Sequence, residues 1–354
     1  MTVITSPDAA APARPAPGRW RRYALGAICL LAAVLYGWAS WSWGWGNGYY
    51  SAAVTSMSTS LTDFLFGSFD PAGVVTVDKP PMALWPQVLS VRMFGHHGWA
   101  LLFPQVVEGV AAVFLLHRAV RRWAGDEAAL IAALVLTLTP VTVVINRDNN
   151  PDTLLVLLTV AAAYALTRAM EPSRAPRRAT GWSLLAAFLI GCGFTTKMLA
   201  AWVCLPAFLL AYLVGTTVPW RRRLGNLAAS AVVLLVSSLW WVALVDLWPG
   251  DKPYVGGSTD GTARDLVIGY NGLGRIFGGG AGMPQTPGGG PGPGMPRMPS
   301  GFPTGFPTPP GGLPAEPPQG FPRGAMSAFG GDPGPLRMFG NAVGGQVSWL
   351  LPLA

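Results

Sequence analysis

An acid and a base stand side by side in Val75-Thr76-Val77-Asp78-Lys79-Pro80-Pro81. The two prolines fix the backbone and remove two hydrogen-bond donors, so Asp78 and Lys79 are held in a stiff turn. A carboxylate beside an ammonium can accept a proton and bind a phosphate; the same pair can also be an ordinary solvated ion pair. A second concentration is Asn146-Arg147-Asp148-Asn149-Asn150-Pro151-Asp152, a polar hairpin between two apolar runs. Asp152 has a structural reading as a helix N-terminal carboxylate. Arg147 has no such reading, and guanidinium suits bidentate binding of phosphate or carboxylate. Lys197, in Gly193-Phe194-Thr195-Thr196-Lys197-Met198, is a third cation at a turn; it either joins a site or snorkels to lipid headgroups. Glu108 lies inside an apolar run, where it either pairs with a cation such as Arg92 or Arg147 or stays protonated and hydrogen-bonded.

The elements that must position these groups are membrane spans. Apolar residues make up 51% of the chain and charged residues 11%, well below the roughly 25% usual in soluble chains. Runs long enough to cross a hydrocarbon core need about 20 mostly apolar residues. Seven are read, at 23–45, 98–117, 128–146, 153–170, 181–196, 198–217 and 225–247. An eighth begins near Val347 and stops at Ala354, which reads as the start of a truncated span in an amino-terminal portion of a longer polypeptide. Residues 1–22 are expected to form a disordered cytoplasmic tail, 23–277 the seven-span core, 278–335 a flexible Gly/Pro-rich outer loop, and 336–354 that eighth span. The first outer segment, 46–97, is expected to hold interfacial helices. The fold class is all-α and polytopic.

Charge sets the orientation. Arg14 to Arg22, Arg118 to Arg122, Arg168 to Arg178 and Arg221 to Arg223 fall in alternate connecting segments, which the positive-inside rule places in the cytoplasm. The net charge of +8 is then a loop property rather than a sign of nucleic-acid binding. Asp78, Lys79, Arg147, Asp152 and Lys197 all fall on the opposite, outer side. Together they form a site for an anionic lipid headgroup with a carboxylate base. Nucleotide donors are scarce outside the cytoplasmic membrane, so a sugar carried on a polyprenyl phosphate fits.

Other candidates are weaker. Trp38, Trp41, Trp43, Trp45, Tyr49 and Tyr50 close the first span and read as an interfacial aromatic belt, with one or two, Tyr50 foremost, available for sugar stacking. Tyr270 stands in an ordered stretch, 248–277, as a further substrate-binding candidate. His96 and His97 have no third ligand in register, and Cys29, Cys192 and Cys204 read as small core residues. No metal or cofactor is called for, though a divalent metal stays open. No Walker or dinucleotide motif occurs in a strand–helix context.

Several stretches resemble family 39 membrane glycosyltransferases: Asn47-Gly48-Tyr49-Tyr50, the Asp78-Lys79-Pro80-Pro81 run, Asn146 to Leu155, Gly193 to Ala200, the stretch from Pro253 to Thr262, and Gly269-Tyr270-Asn271-Gly272. The resemblance covers about 23–277 and resumes at 336–354. It is nearest the bacterial branch of proposed mannosyltransferases, related to the aminoarabinose transferase of lipid A and to protein O-mannosyltransferases. It implies a GT-C helix bundle and inverting transfer of a mannose-like hexose from a polyprenyl-phosphate donor to a protein, lipid or glycan hydroxyl, on the outer face of the cytoplasmic membrane. It also implies that Lys79 contacts the donor phosphate, that Asp152 is the acid of the second outer loop, and that Lys197 is the Thr-Lys turn. Many relatives carry an Asp-Glu pair after the first span. Here Asn47 stands in that stretch as a substrate-binding candidate and has no carboxylate, which leaves Asp78 or Asp152 as the base, or a different acceptor chemistry. Alternatives from other classes are a secondary transporter or lipid flippase, which would place its charges near the midplane, or an inactive fragment of the transferase.

Overall fold

The computed structural model describes residues 19–42, 44–171 and 175–273. The expectations for the first 18 residues, for 278–335 and for the span beginning near Val347 lie outside them. Helix α1 (Arg19–Gly37) is followed by a 3-10 turn at Ser40–Ser42. The segment 46–97 holds α2 (Gly48–Met57), α3 (Leu61–Phe66), a 3-10 turn (Pro81–Ala83) and α4 (Trp85–Phe94). Then come α5 (Gly98–Leu138), α6 (Pro140–Asn146), α7 (Pro151–Ala169), α8 (Pro176–Lys197), α9 (Leu199–Trp202), α10 (Leu205–Gly215) and α11 (Trp220–Asp246). Short α12 (Ala263–Ile268) runs into a π-helical turn, Gly269–Leu273. Among the described residues the β structure is limited to isolated bridges.

By length and composition, α5, α7, α8 and α11 are apolar enough to cross a membrane, and Tyr23–Gly37 and Leu199–Gly215 are shorter apolar stretches. Helix α5 is two arms. At Gly125 the backbone takes φ 88°, a left-handed value open to glycine. The arms fold back on each other. Tyr36 lies beside Gly109 and also directs its hydroxyl to the carbonyls of Leu136 and Thr137. In a straight helix Gly109 and Leu136 would stand roughly 40 Å apart. The expected separate runs 98–117 and 128–146 are thus the two arms, the second continued by α6. The first run is shorter than expected: α1 ends at Gly37, not 45, because Ala39 adopts φ 59° and Ser42 turns back to donate to its carbonyl at 2.8 Å. Trp38, Trp41 and Trp45 are apolar enough to read as span, although their backbone has already left the helix.

Two ends of the bundle are distinct. At one, Arg21 pairs with Asp126 at 3.0 Å, Arg122 pairs with Glu171, and Thr180 donates to Asn226. At the other, α2 to α4 pack on the start of α5 through Ala53, Met57, Val77, Leu84, Val88 and Leu101. Leu61, Leu89 and Met93 on that layer remain exposed, an amphipathic arrangement suited to an interface. The segment after α11 docks on the same end. Tyr254 exchanges backbone bonds with Val74 and Thr76 at 2.8 and 2.9 Å, and Trp241 donates to the Leu65 carbonyl at 3.0 Å. Phe66, Phe194, Met198, Trp241, Val255 and Leu266 form the core beneath it. Helix α8 packs between α7 and α11, which puts its last residue, Lys197, under this layer.

Candidate functional site

The Asp78-Lys79 turn is anchored from three directions. Lys79 is buried, and its ammonium meets Asp78 Oδ2 at 2.7 Å and lies 4.8 Å from the centre of the Tyr270 ring. A cation over an aromatic face is held by the ring quadrupole as well as by its carboxylate. The Asp78 N–H donates to the Tyr49 hydroxyl at 3.0 Å, and the Asp78 carbonyl accepts from Asn271 at 2.8 Å. Asp78 Oδ1 is buried and has no hydrogen-bond partner. One carboxylate oxygen is therefore committed to Lys79, and the other is enclosed without a hydrogen-bond partner.

The second pair is Asp152 with Lys197. Asp152 stands in the first turn of α7, yet the N-cap is Asn150, whose side chain accepts the Asp152 N–H at 2.9 Å. The capping explanation for the Asp152 carboxylate is thus taken over by its neighbour, and the carboxylate turns to α8. Lys197 is at the C-terminus of that helix, where carbonyls favour a cation. Met82, on the 3-10 turn that follows the two prolines, accepts from Thr195 at 3.1 Å, bringing the first pair's turn onto α8 beside the second pair.

Tyr50 stands within electrostatic reach of both carboxylates. Burial, then the charge of Asp78, pushes its hydroxyl well above the usual range, with Asp152 contributing in the same direction. Tyr49 is pushed up to about 12 by burial, then by Asp78. Tyr49 stacks on Phe69 at 5.0 Å and meets Tyr50 edge-on at 5.2 Å. Both hydroxyls stay protonated at neutral pH, so they can donate to a bound anion or sugar.

Other expected residues stand elsewhere. Arg147 is half-buried and donates to the Trp38 carbonyl at 3.2 Å, tying the hairpin to the end of α1. Asn47 serves its own helix: its side chain accepts the Tyr49 N–H at 3.0 Å. Its backbone N–H is held by Asp148 Oδ1 and Asn149 Oδ1 at 2.8 and 2.6 Å. The hairpin's polar density is in good part this lattice. Glu108 meets neither Arg92, which donates to the Ser58 carbonyl, nor Arg147; both its oxygens are buried without a hydrogen-bond partner. No group of three or more His, Cys, Asp or Glu is gathered for a metal among the described residues. Tyr49 and Asn271 were not singled out as site residues from the sequence. Nothing in their spacing marks them, since both act on the backbone of a residue far away in the chain.

Residues 78–241 match the family model described as dolichyl-phosphate-mannose-protein mannosyltransferase. Both pairs and Arg147 fall within that match. Two proteins of Bacillus subtilis (strain 168), each named as a proposed mannosyltransferase, are similar to the chain. YycA is 40% identical over 367 residues, 92% of this chain and 53% of its own length. YkcB is 40% identical over 263 residues, 73% of this chain and 36% of its own. The chain thus spans about half the length of the first and about a third of the second. ArnT from Cupriavidus metallidurans shares the fold. Its apo structure gives a TM-score of 0.52 at 23% identity, covering 65% of this chain and 42% of ArnT. Its structure bound to undecaprenyl phosphate gives 0.50 at 22%, over the same shares. The resemblance read from the motifs holds, and the architecture is that of GT-C membrane transferases.

Proposed function

We propose that this chain carries the donor site of a glycosyltransferase that moves a mannose-like hexose from a polyprenyl phosphate to an acceptor hydroxyl, on the outer face of the cytoplasmic membrane. The observation that carries this reading is the pairing of Asp78 with Lys79 and Asp152 with Lys197, with the turn after the first pair resting on α8 beside the second through Met82 and Thr195. Two ammonium groups suit a phosphate, and a lipid-linked one arrives through the bilayer that the apolar helices span. The undecaprenyl phosphate bound to ArnT supports a ligand of this chemistry.

The reaction is a single displacement. The acceptor oxygen attacks the anomeric carbon as a carboxylate takes its proton, and the bond from that carbon to the phosphate oxygen breaks with inversion. Polyprenyl phosphate leaves with the electron pair, its growing charge met by Lys79 and Lys197. Asp78 is the better-placed base because Oδ1 has no other partner; Asp152 chiefly holds Lys197. Purified protein is to be given a radiolabelled polyprenyl-phosphate hexose. Asp78→Asn should slow transfer by about 10²–10⁴-fold, the usual worth of a general base, and Asp152→Asn should mainly weaken donor binding. Full transfer by both variants would remove the assignment.

A further inference from the structure

Asn271 sits where three outer segments meet. It is 8% exposed, and its Nδ2 donates to the Asp78 carbonyl at 2.8 Å and to Met198 Sδ at 3.3 Å. Its chain neighbour Tyr270 lies under the Lys79 ammonium. Both residues belong to the π-helical turn Gly269–Leu273, a distortion that recurs at functional sites.

Met198, the second acceptor, follows Lys197 directly. It is fully buried and holds φ 50°, ψ −131°, a conformation that residues with a side chain rarely adopt. Such a backbone persists only where its surroundings over-determine it. Here those are the apolar core of Phe194, Trp241 and Leu266 and the bond from Asn271. The unusual φ ends α8 at Lys197 and sets the direction of its last turn. One amide therefore grips the backbone behind the first acid–ammonium pair and the residue that fixes the second.

We propose that Asn271 is a positioning residue that sets the separation of the Lys79 and Lys197 ammonium groups, and through it the fit of the donor phosphate. It touches no reacting atom. The proposal rests on the reading of the two pairs as a donor site. Without the amide donors, the Asp78 carbonyl loses this donor and Met198 loses one of the contacts that hold its strained backbone. The two cations then no longer converge on one phosphate.

The test uses the chain in detergent with undecaprenyl phosphate as the probe, binding being read from tryptophan fluorescence. Asn271→Asp keeps the shape and removes both donors. It should weaken binding about tenfold, the scale of one or two lost hydrogen bonds, while the thermal unfolding midpoint stays within a few degrees of the parent. In a Lys197→Met background the same change should cost little more, because its effect runs through the spacing of Lys79 and Lys197, which needs both cations. Equal losses in both backgrounds, or a loss of binding that tracks a loss of folded protein, would overturn the proposal. Unchanged binding by Asn271→Asp, with Lys79→Met abolishing it, would sink the positioning role alone. Absence of binding by the parent would instead sink the donor-site reading beneath it.

Discussion

Asp152 and Tyr49 show how far single residues could be read before their partners were known. The position of Asp152 in the first turn of α7 is visible in the sequence, and so is the chemical use of a carboxylate there. Its partner is not, because the pairing with Lys197 depends on α7 lying against α8. The neighbouring Asn150 decides between the two readings by taking the cap. Tyr49 was legible as one ring of an aromatic belt and as part of the Asn47-Gly48-Tyr49-Tyr50 stretch, but without a role for its hydroxyl. Its hydroxyl accepts the Asp78 N–H across 29 residues of chain, a contact that no local pattern encodes. That hydroxyl, pushed from 10.0 up to about 12 by burial and then by Asp78, keeps its proton throughout the neutral range. A raised value stabilises the fold below pH 10, and that contribution is lost as the pH climbs toward 12. Tyr49→Phe should therefore lower transfer by about tenfold through a loosened Asp78 turn. The shape of the pH–rate profile between pH 6 and 9 should not change, since the hydroxyl does not titrate there. A new or displaced alkaline limb in the variant's profile would show that Tyr49 exchanges protons in the reaction.

At the scale of elements, the apolar runs were legible and their joints were not. The arginine cluster at 118–122 divides α5 correctly, because charge marks where the chain must leave the bilayer; the hinge itself is Gly125, a few residues on. The docking of the segment after α11 was the hardest to foresee. It depends on Tyr254 pairing with Val74 and Thr76, almost 180 residues earlier, in bridges too short to leave an alternating pattern. Gly256 makes the approach feasible: a Cβ there would run into the Thr76 carbonyl, and the Gly256 N–H reaches Thr76 Oγ1 at 3.0 Å. Backbone cannot yield as a side-chain tip can, so Gly256→Ala should push this segment off the first outer layer at about 1–3 kcal/mol, the usual cost of overpacking. Tyr270 and Asn271 ride on the same segment. The variant should therefore insert in the membrane normally yet lose most donor binding, with limited proteolysis cutting faster between 248 and 273. Parent-like binding and proteolysis would show that the segment docks without this contact.

For the whole molecule, the question is which end faces which compartment. The two ends differ chemically in a way that bears on the answer. One collects Arg21, Arg121, Arg122, Arg168 and Arg223, the first four sharing the carboxylates of Asp126 and Glu171, while the other holds the two acid–ammonium pairs under the layer of α2 to α4. The proposed reading follows the positive-inside rule, which would put the arginine end in the cytoplasm and the site outside. The folded bundle agrees with the alternation read from the loops, because Arg21, the turn near Gly125 and Glu171 do meet at one end. Cysteine labelling can decide it. Cys29, Cys192 and Cys204 are half-buried in or beside apolar helices and can be replaced by alanine for a clean background. Arg177→Cys, exposed at the start of α8, and Asp251→Cys, exposed after α11, then report the two ends. In intact cells a membrane-impermeant maleimide should label position 251 and spare 177 until the membrane is opened. Labelling of 177 alone would invert the topology and move the site to the cytoplasmic face. There, nucleotide sugars are at hand and the case for a lipid-linked donor would lose its strongest physical reason.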